Sequence, residues 1–159
     1  MFWAIIVILI IAADQVSKFF ITKNVDLGEL IEIIRNFFYI TYIRNKGAAW
    51  SIFQNGRYFF IVMTIIASIL IIYFLLKSKN KILSLSLSFI LGGAIGNLID
   101  RIAAGSVVDF LEFHFWSYRF PVFNVADIFI TTGTILLAYY LIFIYKEPAK
   151  ATEMEGRSE

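Results

Sequence analysis

The chain has 159 residues, a formal net charge of +2 and an apolar fraction of 60%, well above the roughly 45–50% of soluble domains. With no cysteine and one histidine, it excludes disulfides, thiol nucleophiles, zinc–thiolate centres and His-rich metal sites. The small charge, with no basic stripe of interleaved aromatics, points away from nucleic acid, and the apolar excess falls in runs, the mark of a membrane protein.

The first run covers about 2–21. It lacks a basic n-region, and Ile11-Ala12-Ala13 is a poor cleavage site, so the segment reads as a retained span rather than a removable signal peptide. Asp14 interrupts it, with Ser17 and Lys18 following at i+3 and i+4 on the same helix face. Those residues fit either an Asp–Lys pair with Lys18 snorkelling to the surface or the support of a site.

The next stretch, about 24–57, is rich in strand formers from Ile31 to Ile43. It closes on Asn45-Lys46-Gly47-Ala48-Ala49-Trp50, where Asn and Gly mark a tight turn and Trp50 suits the headgroup layer. A second span covers about 58–76, and a third, about 82–102, carries Ser84, Ser86, Ser88, Gly92, Gly93 and Gly96, small residues that let helices approach closely. Asn97, Asp100 and Arg101 end this run, either as a self-contained cap with Arg101 paired to Asp100 or with Asn97 and Arg101 reaching across the bundle. An unpaired amide as deep as Asn97 is costly, which favours the second reading.

Asp109 sits in Val107-Val108-Asp109-Phe110, after Gly105-Ser106, where a turn would also accommodate it. Leu111 to Phe120 partly alternates and predicts another strand, so about 105–121 joins 24–57 as the β-rich region. The fourth span, about 125–145, starts with Asn124 as an N-cap candidate and Asp127 at N3, near the favourable end of the helix dipole. Residues 146–159 are charged and poor in large apolar groups, which predicts a disordered cytoplasmic tail.

Each span reaches the ~20 residues needed to cross about 30 Å of hydrocarbon. Lys77, Lys79 and Lys81 crowd one short turn, and Lys146 and Lys150 follow the last span, which places both termini in the cytoplasm by the positive-inside rule. The first connection also holds Lys23, Arg35, Arg44, Lys46 and Arg57, but longer loops obey that rule less well. The expected fold class is a membrane all-α bundle of four transmembrane helices with a small extracytoplasmic β-sheet, forming one domain over 1–145.

Carboxylates in or beside spans are functional candidates. Asp109 follows the outer end of span three, and Asp127 opens span four at that same face, so the topology brings them together. Two carboxylates meeting in a poorly solvated place share one proton, which sets a base beside an acid, as amide hydrolysis without a covalent intermediate requires. Three other readings compete. A relay of membrane carboxylates in a transporter predicts aspartates spread over depth, and only Asp14 approaches that. A metal-dependent hydrolase would hold a hard cation on Asp100, Asp109 and Asp127, and a scaffold would use its aspartates as helix caps alone.

The motifs also carry a family resemblance. Asp14-Gln15-Val16-Ser17-Lys18 and Asn45-Lys46-Gly47-Ala48-Ala49-Trp50, followed by Gly96-Asn97-Leu98-Ile99-Asp100-Arg101, Val107-Val108-Asp109-Phe110 and Phe123-Asn124-Val125-Ala126-Asp127, resemble the signatures of the lipoprotein signal peptidase (signal peptidase II) family. Any one of them is weak; all of them in order, from Asp14 to about Tyr145, are specific. Ile128-Phe129 stands where the family often has small residues.

The resemblance implies an aspartyl endopeptidase of the bacterial cytoplasmic membrane, with its site near the extracytoplasmic face. Its substrates are prolipoproteins bearing a diacylglyceryl cysteine, cut just before that cysteine. Asp109 and Asp127 match the catalytic pair, and Asn45, Asn97, Arg101 and Asn124 the supporting polar shell. Asp14 and Lys18 lie further out, and Gly47, Asp100 and Ala126 within the motifs count with the supporting residues. No metal or organic cofactor is implied, the expected partners are substrate and membrane lipid, and the expected state is a monomer.

Overall fold

The computed structural model describes residues 2–47 and 56–145. Its helices grow from the apolar runs: α1 is Phe2–Asn24, α2 Arg57–Lys77, α3 Lys81–Ala104 and α4 Val125–Tyr139, the last running into a single π-helical turn at Tyr140–Ile144. All four are long and apolar enough to cross a membrane, counting α4 with its π turn. The bounds of the predicted spans lie within three residues of these helix ends, counting the π turn with α4. Local chemistry sets the ends of α3: the Asn80 side chain accepts from the Ile82 and Leu83 amides at 2.9 and 3.1 Å. Gly105, at φ 73°, closes its other end.

α3 is the central helix, packed against α1, α2 and α4. Its glycines do what small residues do in membrane bundles. A Cβ on Gly92 would lie 2.8 Å from Ile10 of α1, one on Gly93 would strike the Ala126 carbonyl of α4, and one on Gly96 would lie 2.6 Å from the Asp14 carboxylate. Phe129, bulky where a small residue was expected, is taken up edge-on by Phe89 of α3, with centroids 5.2 Å apart. Val7, Leu75, Leu87 and Leu91 form the apolar core, enclosed by Trp3, Ile71, Leu83 and Leu137, so that every helix contributes to it.

The strands are β1 Leu30–Ile34, β2 Phe38–Asn45, β3 Val107–Phe115 and β4 Tyr118–Arg119. They form one antiparallel sheet in the order β1-β2-β3-β4. The sequence placed a strand at Leu111 to Phe120 and allowed a turn at Asp109; the structure extends β3 back to Val107 and sets Asp109 inside it. Two devices lock β3 over the bundle. Between Ile40 and Ile43 the β2–β3 register gains one residue on β2, a bulge that brings Ile43 opposite Asp109 and Asn45 opposite Val107. On the other side Phe123 exchanges backbone hydrogen bonds with Phe110 and Leu111 at 2.8–3.1 Å, which holds the approach to α4 beside Asp109.

Candidate active site

The site assembles where α1, α3, β2, β3 and the start of α4 meet. Asn124 is the N-cap: its side chain accepts from the Asp127 amide at 3.0 Å, and the Asp127 carboxylate accepts from the Asn124 amide at 3.2 Å. The capping reading therefore holds, and a second role sits on top of it. The fully buried Asn124 turns its amide nitrogen outward and donates 2.7 Å to Asp109 Oδ1, 3.1 Å to Asn97 Oδ1 and 3.3 Å to the Val108 carbonyl. Asn97 in turn donates 2.8 Å to Asp127 Oδ1. Two asparagines thus link the carboxylates, and Asn45, a diagonal neighbour across the bulged ladder, donates 2.9 Å to Asp109 Oδ2.

Both aspartates line a cleft of about 690 Å³ whose walls include Asn45, Gly47, Asn97, Arg101, Phe123, Ile130 and Thr131. Asp109 is only 3% exposed. Burial pushes its carboxyl up to about 7; the Asn45 bond opposes this, the Asp127 charge adds to it, and Asn124 and Lys18 pull it back. A carboxyl at that value can hold a proton near neutrality and release it, which is what general acid–base work needs.

Below the cleft lies a buried ionic cluster. Lys18, 3% exposed, does not snorkel. Its ammonium reaches Asp14 Oδ2 and Asp100 Oδ2, both at 2.8 Å, and Asn97 Oδ1 at 3.0 Å, using the three donors it has. Asp14, 0% exposed, sends its other oxygen to the Ala126 amide at 2.9 Å, satisfying an orphan N–H in the first turn of α4. Asp100 accepts from the Val108 amide at 3.2 Å, one residue before Asp109. The cluster therefore braces both carriers of the cleft aspartates: Asp14 holds α4 and Asp100 holds β3.

The self-contained cap, the less favoured reading of Asp100 and Arg101, is not found, because Asp100 pairs with Lys18 across the helix interface. Arg101 lines the cleft, lies 5.1 Å from the Phe60 ring centroid and donates to the Gly47 carbonyl at 3.4 Å. Gly47 is held again by its own amide, which donates 2.9 Å to Asn45 Oδ1. Trp50, Ala48 and Ala49, together with 146–159, lie outside the described residues.

Gln15 was missed as a site residue. Its amide donates at 3.1 Å to Asp14, to the Gly96 carbonyl and to Asp100, stitching α1 to α3. The only sequence signal was a polar amide beside Asp14 within an apolar run. Among the described residues no group of three or more His, Cys, Asp or Glu side chains is placed to hold a metal ion; Asp100, which the metal reading required, is turned to Lys18 and Val108.

Two carboxylates thus share one cleft, joined by amides, at the head of a bundle of four helices long and apolar enough to cross a membrane. The family described as Signal peptidase (SPase) II, Peptidase_A8, matches residues 6–143, and the chain belongs to it. Two solved bacterial membrane enzymes, determined by the in meso method, share the fold at 37% identity. One, at 2.3 Å resolution, has a TM-score of 0.84 and covers 92% of each chain. The other, at 1.9 Å resolution, has a TM-score of 0.81 and covers 90% of this chain and 94% of its own. The protein is thus a multi-pass membrane peptidase of the family that cleaves signal peptides from lipoproteins.

Proposed function

We propose that this protein is an aspartyl endopeptidase that cuts diacylglyceryl-modified prolipoproteins just before the lipidated cysteine, using Asp109 and Asp127 and no metal or organic cofactor. The observation that carries the proposal is the shared cleft, in which Asn124 and Asn97 join the two carboxylates. At rest Asp109, buried and raised to about 7, carries the proton and Asp127 is the base. Asp127 draws a proton from water as it attacks the scissile carbonyl, while Asp109 donates its proton to the developing oxyanion; as the tetrahedral intermediate collapses, the proton on Asp127 passes to the leaving amine and Asp109 recovers its own from the gem-diol. Asn45, Asn97 and Asn124 hold the carboxylates in register, and Arg101 with Gly47 shapes the cleft wall.

The substrate is held in the bilayer twice, by its apolar signal segment and by its lipid. Such anchoring supplies proximity, worth up to about 7–11 kcal/mol when the reacting atoms are aligned. In this reading the site faces the extracytoplasmic side of the cytoplasmic membrane, both termini are cytoplasmic, and the enzyme works as a monomer.

The test is cleavage of a lipid-modified prolipoprotein by purified protein, with and without excess EDTA, beside Asp109→Asn and Asp127→Asn. Each substitution is expected to lower turnover by at least ~100-fold, and EDTA to change nothing. Near-normal turnover in either folded variant ends the dyad assignment, and loss of activity in EDTA revives the metal reading.

A further inference from the structure

One end of the sheet carries residues that do not line the cleft. There the β1–β2 and β3–β4 turns lie side by side, joined by a hydrogen bond from the His114 amide to the Phe37 carbonyl and by Phe37–Phe115 ring contact at 5.6 Å. Each turn contains a non-glycine residue in the left-handed region, Asn36 at φ 56° and Trp116 at φ 54°. Asn suits that conformation, whereas a bulky aromatic residue does not. Trp116 nevertheless occupies it, and is 99% exposed. The fold thus holds a strained tryptophan almost wholly exposed, a local conflict of the kind expected where function overrides stability.

The surroundings say what it meets. Leu27, Leu30, Ile33, Ile34 and Phe37 are all exposed. With Phe20, also exposed, they follow the chain from the end of α1 through the edge strand β1 to the turn that meets Phe115. An edge strand reading Leu-Ile-Glu-Ile-Ile invites aggregation in water, yet here it follows α1, a helix long and apolar enough to cross a membrane. At the same end Arg35 is exposed and forms no ion pair among the described residues. The nearby carboxylates are engaged internally: Glu32 accepts from Tyr39 and Asn36, and Glu112 meets His114 at 2.7 Å. Tryptophan, tyrosine and free arginine beside an apolar strip fit the headgroup layer of a bilayer with anionic lipids.

We propose that the paired hairpin tips dock into the leaflet at the sheet end of the bundle. In this arrangement Trp116 is the anchor, set among the lipid ester groups, and Arg35 is a phosphate contact. The anchor fixes the height and tilt of the sheet over the membrane. It also accounts for an arginine in a connection where charge-based topology disfavours one.

The test leaves Trp116 as the sole tryptophan (Trp3→Phe with Trp50→Phe) and reconstitutes the protein in bilayers with lipids brominated at defined depths. Emission blue-shifted from that of water-exposed tryptophan, and quenched most by the shallowest acyl bromines, is expected. Arg35→Gln should weaken the quenching at least twofold in bilayers with one-third anionic lipid and leave it unchanged in zwitterionic ones. Water-like, unquenched emission in bilayers overturns the proposal and leaves the surface to a protein partner. A second measurement avoids the tryptophan background: Trp116→Asn in an otherwise unaltered chain should melt in detergent no lower than the parent, because Asn accepts the left-handed turn. A clear fall in its melting temperature would make Trp116 part of the fold and overturn the anchor. None of these readouts depends on peptidase activity, so the anchor and the dyad can fail separately.

Discussion

Replacing Asp109 with Asn should stabilise the protein at alkaline pH while abolishing its activity. Burial holds the Asp109 carboxyl at about 7 in the fold, whereas an unfolded aspartate ionises near 3.9. Below pH ~4 both states bind the proton, and the residue contributes no pH-dependent penalty. Between about 4 and 7 the unfolded chain loses its proton and the folded one keeps it, so stability falls as pH rises. Above about 7 the penalty is complete, and a separation of that size corresponds to roughly 4 kcal/mol. Asparagine escapes this, but its amide nitrogen must face either Asn124 or Asn45, whose donors now lie 2.7 and 2.9 Å from the two carboxylate oxygens. One lost hydrogen bond with two opposed donors costs about 1–2 kcal/mol. The variant should therefore lie about 2–3 kcal/mol above the parent at pH 8, and slightly below it at pH 4. Thermal unfolding in detergent from pH 4 to 8.5, followed by intrinsic fluorescence, reads the crossing. A stability difference independent of pH, or one that grows more unfavourable as pH rises, would refute the reasoning.

Further outcomes follow from the same contacts. Because Asp109 must carry its proton to act as the acid, kcat/KM should fall about tenfold per pH unit above about 7, and a profile flat to pH 9 would contradict that role. Lys18→Met leaves Asp14 and Asp100 uncompensated in the interior and should cost roughly 3–5 kcal/mol; adding Asp100→Asn should recover part of that loss in unfolding measurements. Gly96→Ala forces a Cβ to within 2.6 Å of the Asp14 carboxylate, which Ala126 and Lys18 hold in place. It should lower both melting temperature and turnover, by about 1–3 kcal/mol in stability, whereas Gly28→Asn, with open space around it at φ 83°, should leave both unchanged.

The four spans were legible because twenty apolar residues in a row have few other uses. Strand content was legible in Phe37–Ile43 for a similar reason, since β-branched and aromatic residues crowd there. The start of β3 was not. Val107-Val108-Asp109 follows a glycine that closes α3, and what makes it a strand is pairing with Arg44 and Asn45, more than sixty residues earlier in the chain. Local spacing placed Asp14 and Lys18 together correctly, because i and i+4 meet on any helix. That rule could not choose between a local Asp100–Arg101 cap and reach across the bundle, which the cost of an unpaired Asn97 favoured; the cation Asp100 meets is 82 positions away. Gln15 illustrates the remaining limit, since a neutral amide reveals its three acceptors only once α3 is docked.

The double duty of Asn124 has a mechanical consequence. One side chain starts helix α4 and also grips Asp109, so the strand's carboxylate is geared to the first turn of the helix that carries the other. A transmembrane helix rocks as the bilayer thins and thickens around it. Under the proposed function, this coupling would carry the two carboxylates together and keep their spacing through the fluctuations of the medium in which the protein is dissolved.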